Sequence, residues 1–282
     1  MRKNFIKDIR GVVIKVGTSV LTRGGRFDKT IIGDLAAEIA GFLKRGTRVW
    51  VVTSGAIGAG MTLLNLKKRP VSMQGLQAAA AVGQRHLMQG YEEAFARRGF
   101  STAQVLLTWD DLASPKRFLN AKRTLKQIQD WGRVPVINEN DTVATDEIRF
   151  GDNDRLSSLL SILVEADALV ILSDTNGLCR GGRHGARIPV VEKTDGEIFS
   201  HAKENKNDFT VGGMASKLKA IRMSVSSGIP VFLAGGRSPK VLTRIFAGED
   251  IGTFFAPHLK KRSARKDWVT HFTAHIRAQE RL

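Results

Sequence analysis

The order of apolar runs predicts an α/β protein with a largely parallel central sheet covered on both faces. Three observations carry this expectation. Aliphatic runs recur at Val12-Val13-Ile14, Val49-Trp50-Val51-Val52, Val105-Leu106-Leu107, Val134-Pro135-Val136-Ile137, Ala168-Leu169-Val170-Ile171-Leu172 and Val231-Phe232-Leu233, without the polar alternation of a half-exposed strand. Segments of helical spacing separate them, as crossover connections require. Glycine, hydroxyl and acidic residues gather just beyond the runs, where open α/β sheets bind ligands.

Each element has a local reason. Asp28 is placed to cap a helix whose apolar positions Ile31, Ile32, Leu35, Ile39 and Phe42 follow the 3.6-residue period, with Gly46 as its stop. A Gly- and Ala-rich helical stretch follows Gly55, and a longer helix is expected over 72–98. Leu119, Leu125 and Ile128 mark another helix, and Pro135 places the start of the fourth strand. A short hairpin is expected over 143–150, a helix over 154–165 and another over 215–226. The polar, glycine-containing stretch over 177–213, with β signals around Ile188-Pro189-Val190-Val191, is expected to belong to a nucleotide-side lobe.

Composition narrows the function. The chain has 44 Lys+Arg against 27 Asp+Glu, a net charge of +17. Such an excess can serve nucleic-acid binding. Here it is spread along the chain with no nucleic-acid motif, and it reads as a solvated basic surface. The single cysteine, Cys179, excludes an intrachain disulfide and suits a reducing compartment. No apolar run is long enough to span a bilayer, and a cytoplasmic protein is expected.

Four segments carry chemistry: Lys15-Val16-Gly17-Thr18-Ser19, Thr53-Ser54-Gly55, the acidic pair Asn138-Glu139-Asn140-Asp141 and Gly151-Asp152-Asn153-Asp154, and Gly212-Gly213-Met214-Ala215-Ser216-Lys217. An ammonium after three aliphatic residues calls for an anion. Glycine turns bring backbone N–H groups close to phosphate, and an Asp between two lysines would orient both. Isolated Asn-Asp turns are commonly only turns. Here Asn138 directly follows a strand and Asp154 directly precedes a helix, which points both clusters to the sheet edge that also bears Lys15 and Ser54. Neither the P-loop nor the dinucleotide spacing is present, and the histidines lack metal-ligand spacing.

These segments, with Val20-Leu21-Thr22, Val52-Thr53-Ser54-Gly55-Ala56-Ile57, Arg117-Phe118-Leu119-Asn120-Ala121, the stretch 134–145 and Arg155-Leu156, resemble the glutamate 5-kinases of the amino-acid kinase family in order and over nearly the whole chain. Aspartokinases and acetylglutamate kinases typically carry Gly-Gly after the first-strand lysine, where this chain has Val16-Gly17-Thr18, and lack the joined acidic pair. The resemblance implies an αβα sandwich and ATP-dependent phosphorylation of the L-glutamate γ-carboxylate, the first step of proline biosynthesis. It also implies Mg²⁺ arriving with ATP, no dedicated protein metal site, proline as an inhibitor, and a homo-oligomer (dimer or tetramer).

By the same resemblance Lys15, Lys217 and Asp154 are catalytic. Ser54, Asp141 and Asn153 bind glutamate, with Asp141 suited to its ammonium. Lys15, Ser173, Asp174, Val211, Gly212, Gly213, Met214, Ala215, Ser216 and Lys217 form the ATP site, and Gly17 and Gly55 bring N–H donors near the phosphoryl group. Val211 stands where the family usually has threonine, and Thr210 where it usually has glycine. One kinase domain is implied over 1–258, with an N-terminal acceptor lobe and a C-terminal nucleotide lobe. A basic tail is expected over 259–282, without the C-terminal PUA domain that bacterial members often carry. The competing readings are a kinase of the same fold with another amino-acid acceptor, and a basic ligand-sensing or nucleic-acid-binding protein.

Overall fold

Residues 2–23, 26–144, 153–182, 185–194, 196–202 and 213–258 are described by a computed structural model. Helix α1 (Arg2–Ile6) precedes strand β1 (Gly11–Val16), α2 (Thr18–Leu21), a small hairpin of β2 (Thr22–Arg23) and β3 (Arg26–Phe27), then α3 (Lys29–Lys44) and β4 (Arg48–Thr53). The helical pair α4 (Ala56–Leu63) and α5 (Met73–Ala96) leads to β5 (Thr102–Leu107), α6 (Trp109–Ala113), α7 (Pro115–Asp130) and β6 (Val134–Glu139). Beyond residue 152 come α8 (Asn153–Leu163), β7 (Ala168–Ser173), β8 (Val190–Val191), α9 (Gly196–Ser200), α10 (Met214–Ser226), β9 (Val231–Gly235), α11 (Val241–Phe246) and β10 (Thr253–Phe255).

The main sheet runs β5-β6-β4-β1-β7-β9-β10-β8. Its pairs are parallel except β9 with β10. The chain leaves β1 toward β4 on one side and later returns through β7 on the other, so the crevice beyond the carboxyl ends of these three strands is a topological switch point.

Residue parity decides the layers. Val12, Ile14 and Val16 join Val51, Val170 and Leu172 in a core closed by α3, α5 and α11. Val13 joins Trp50, Val52, Leu169 and Ile171 in a second core closed by α7, α8 and α10. Lys15 has the parity of Val13 and lies level with Val52 and Ile171. The pleat therefore sends its side chain to the face on which α8 and α10 begin.

Local signals behave as expected. The Asp28 side chain accepts from the Thr30 N–H at 3.0 Å, and Ser72 caps α5 through the Gly75 N–H at 3.2 Å. Pro135 is the second residue of β6. In α7 the buried stripe is Phe118, Leu125 and Ile128, while Leu119 is 47% exposed. Leu119 lies one step, 100°, off that stripe. The hairpin expected over 143–150 falls, after Ala144, outside the described residues. So do Thr210, Val211, Gly212, Asp152 and the tail over 259–282. The described parts of 177–213 contribute β8 and α9.

Two long-range ties hold the β8–β10 edge of the sheet. The buried Arg2 guanidinium donates to Pro189 O at 2.9 Å and Ile251 O at 3.1 Å. Arg187 pairs with Asp250 at 2.9 Å and also donates to Gly252 O. No helix among the described residues is long and apolar enough to cross a membrane.

Helices α4 and α5 cross backbone to backbone. A Cβ on Gly60 would lie 1.8 Å from Ala79 O, and one on Gly83 would lie 1.9 Å from Ala56 O. Only glycine fits both positions, and this approach brings the middle of α5 against the end of β4. Gly83→Ala should destabilise the protein by about 1–3 kcal/mol, read as a fall of roughly 2–10 °C in the thermal midpoint.

Candidate active site

The site forms where β1, β4, β6 and β7 end and α8 and α10 start. Lys15, at the end of β1, places its Nζ 2.7 Å from Asp154 Oδ1. Lys217, in the first turn of α10, places its Nζ 3.4 Å from Asp154 Oδ2. Asp154 is wholly buried and Lys15 nearly so. Burial alone would raise the Asp154 pKa. The ammonium of Lys15, that of Lys217 and their hydrogen bonds outweigh it and hold the carboxyl below the ordinary carboxylate range. The result is a buried carboxylate with one cation on each oxygen.

The two helices are tied directly behind that contact. Ser158, one turn after Asp154, donates to Ala220 O at 2.8 Å, and Ala220 lies about one turn after Lys217. A turn further on, the Ser161 and Ser224 hydroxyls meet at 3.4 Å. Side chains three and four apart share a helix face, so these contacts and the Asp154–Lys217 pair form one polar ladder. It sets how closely Lys217 approaches Asp154.

Next to Asp154, the Asn153 Nδ2 donates to Thr53 O at 2.9 Å, to Ser54 Oγ at 2.9 Å and to Asn138 Oδ1 at 3.0 Å. Asn138 in turn donates to Gln84 Oε1 at 2.8 Å. The Thr53 hydroxyl meets Tyr91 of α5 at 2.9 Å. Burial pushes the Tyr91 phenol well above its usual range and keeps it neutral. Gly55, at φ +96°, turns the chain from β4 into α4, a left-handed conformation that glycine adopts freely.

Asp141 sits in the turn after β6, which is tied to α5 by Gln77 donating to Ala144 O at 3.1 Å. Burial lifts its carboxyl to about 6, against the opposing pull of Arg69. An acceptor with that environment gains most from a cationic partner. At the other side Ser173 ends β7, with its hydroxyl donating to Asp174 at 3.1 Å. Gly213 and Met214 open α10, with Ala215 and Ser216 ahead of Lys217.

The structure thus joins Lys15, Asp154 and Lys217, and separately Asn153 and Ser54; Val211 and Gly212 lie outside the described residues. The Gly17 N–H itself donates to Leu172 O at 3.0 Å. The next amides, Thr18 and Ser19, open α2, where the first N–H groups of a helix have no intrahelical acceptor. Sequence reasoning did not single out Gln84 or Tyr91. Their signal was a polar group within or directly beside the buried stripe of α5, which includes Ala80, Gly83, Leu87, Met88 and Tyr91. Among the described residues, no group of three or more His, Cys, Asp or Glu is placed to hold a metal ion.

The profile described as the amino acid kinase family matches residues 10–235. A glutamate 5-kinase from Geobacter metallireducens is 43% identical over 276 residues, covering 96% of this chain and 74% of that one. Another from Chromohalobacter salexigens is 45% identical over 271 residues, covering 95% and 72%. Among solved structures, N-acetylglutamate synthase from Neisseria gonorrhoeae aligns with a TM-score of 0.63 at 15% identity, over 90% of this chain and 63% of that one. UMP kinase from Bacillus anthracis aligns at 0.57 and 15% identity, over 89% and 97%. At that identity the two structures share the fold.

Asp154→Asn should leave two buried ammonium groups without their counter-charge, at about 3–5 kcal/mol in stability. Because the folded pKa is depressed, the carboxylate's contribution is present above the unfolded value of about 3.9 and is lost as pH falls through the folded value. Unfolding midpoints measured from pH 7 down to pH 3 should therefore show the variant already destabilised at pH 7 and less sensitive to acid than the parent.

Proposed function

The chain belongs to the amino acid kinase family, and from that premise we propose that it acts as a glutamate 5-kinase, transferring the γ-phosphoryl group of ATP to the γ-carboxylate of L-glutamate. The observation that carries this reading is the buried Asp154 between Lys15 and Lys217, directly adjoining the Asn153–Ser54 contact. A glutamate γ-carboxylate oxygen attacks the γ-phosphorus, the bond to the bridging oxygen breaks, and ADP leaves. The acceptor is already ionised near neutral pH, so no general base is needed, and Asp154 serves to hold the lysines. Their ammonium groups neutralise charge on the transferring group and the leaving diphosphate.

Roles follow from position. Ser54 and Asn153 hold the acceptor, and Asp141 takes its ammonium. Ser173, Asp174 and the segment from Val211 to Lys217 serve ATP, and Gly55 lets the chain turn close to the phosphoryl group. Mg²⁺ is proposed to arrive on ATP, held by phosphate oxygens and water, where it neutralises phosphate charge. Proline offers the same α-carboxylate beside a protonated amine, which supports its role as an inhibitor at this site. Self-association is supported by the exposed Leu63, Leu64, Leu66 and Val71 around the α4–α5 connection.

Hydroxylamine trapping of the acyl phosphate tests the reading, with ATP–Mg²⁺ and L-glutamate, L-aspartate or N-acetyl-L-glutamate as acceptors. Hydroxamate should form chiefly from glutamate, and less when proline is added; product from another acceptor alone would replace glutamate in the assignment. Lys217→Ala should lose about 10²–10³ in kcat while still binding glutamate, and full activity would remove Lys217 from the mechanism.

The Asp141 carboxyl must be ionised to meet an ammonium. With its pKa lifted to about 6, the glutamate KM should climb as pH falls through that value, by about tenfold per unit below it. Asp141→Asn should raise the glutamate KM and abolish that dependence, with the ATP KM little changed.

A further inference from the structure

The amide relay has a fixed polarity. Thr53 O can only accept, so the Asn153 atom facing it is Nδ2. That same Nδ2 meets Asn138, whose facing atom is therefore Oδ1, and the other end of the Asn138 amide is Nδ2. Nδ2 of Asn138 needs an acceptor, so the Gln84 atom it meets is Oε1. One backbone carbonyl at the end of β4 thus dictates the orientation of three side-chain amides on three different elements.

Two atoms are left over. Gln84 Nε2 and Asn153 Oδ1 are sealed from solvent and have no hydrogen-bond partner among the described residues. Buried amide groups are ordinarily satisfied, and each exception calls for an explanation. The free donor on Gln84 suits an anionic group such as a carboxylate. The relay begins at Asn153, beside the phosphoryl-transfer lysines and Asp154. It ends two side chains away at Gln84, so Gln84 suits the end of glutamate remote from its γ-carboxylate. Gln84 is held there by the close crossing at Gly83.

We propose that Gln84 is a further substrate-binding residue, donating from Nε2 to the α-carboxylate of the acceptor while its Oε1 orients Asn138. This rests on the glutamate kinase reading and adds the group that recognises the α-carboxylate.

Two variants separate the roles of the amide. Gln84→Glu keeps an oxygen for Asn138 but turns the donor into a second acidic oxygen. Gln84→Met keeps the length and removes both. In the hydroxamate assay with the full chain, Gln84→Met should raise the glutamate KM about tenfold. Gln84→Glu should raise it a further tenfold or so, because like charges then face each other. The ATP KM should stay within about twofold and kcat at saturating glutamate within about threefold in both, since the lysine pair is untouched.

A Gln84→Glu variant no worse than Gln84→Met for glutamate would overturn the carboxylate contact. An ATP KM rising in step with the glutamate KM would do the same, because the residue would then be supporting the whole site. Thermal midpoints establish that each variant is folded. If Gln84→Glu is not, the split between the two KM values in Gln84→Met decides alone. Absence of glutamate hydroxamate from the parent protein sinks the kinase reading itself, and is seen before either variant is made.

Discussion

A carboxylate enclosed between two ammonium groups sets the terms for the rest of this molecule. Asp154 is unable to reach water, and in a low-dielectric interior its charge persists only because Lys15 and Lys217 stand on either oxygen. Each lysine comes from a different part of the fold, one from the central strand and one from a helix nearly two hundred residues later. The arrangement requires three elements to arrive together: a strand of the right parity, a fully packed α8, and α10 drawn against it by the serine contacts. Remove the carboxylate and the cations repel; remove a cation and a buried anion is stranded.

The neighbouring polar network obeys a different rule. Its members are neutral, and their value lies in direction more than charge. Thr53 O orients Asn153, Asn153 orients Asn138, and Asn138 orients Gln84. Neutral amides tolerate burial when paired, so this network can hold fixed dipoles deep within the sheet edge without perturbing the charged trio beside it. Ser54 belongs to the network through its oxygen, and Tyr91 closes it from α5 through Thr53.

Much of the fold was legible because its signals are local. Asp28 precedes a helical stripe and caps it; Lys15 ends an aliphatic run and emerges from the sheet; Asp154, expected just before a helix, lies in its first turn. The trio of Lys15, Asp154 and Lys217 was legible as an inventory of charges and turns together with a family resemblance. Its geometry depends on residue parity, which a sequence supplies only once the strand's layers are known. Gln84 and Tyr91 were hidden because their partners lie more than thirty residues away in the chain. Arg2 carries no local signal of burial, since the carbonyls it serves, Pro189 O and Ile251 O, lie far along the chain. The acceptor of the Gly17 amide, Leu172 O, was hidden for the same reason, being on another strand.

The edge of the sheet at β8 also bears on how the polypeptide acquires its shape during synthesis. Strand β8 joins the sheet only through β10, which follows it by some sixty residues, and β10 in turn docks antiparallel on β9. Residues 190–191 therefore emerge from the ribosome well before the strand that will receive them exists. The part of the sheet with β1, β4, β5 and β6 already adjacent can assemble while that edge is still waiting. Closure of the β9–β10–β8 edge is thus timed by the emergence of residues 253–255, and Arg2, made long before them, gains Ile251 O only at that same late moment, after Pro189 O.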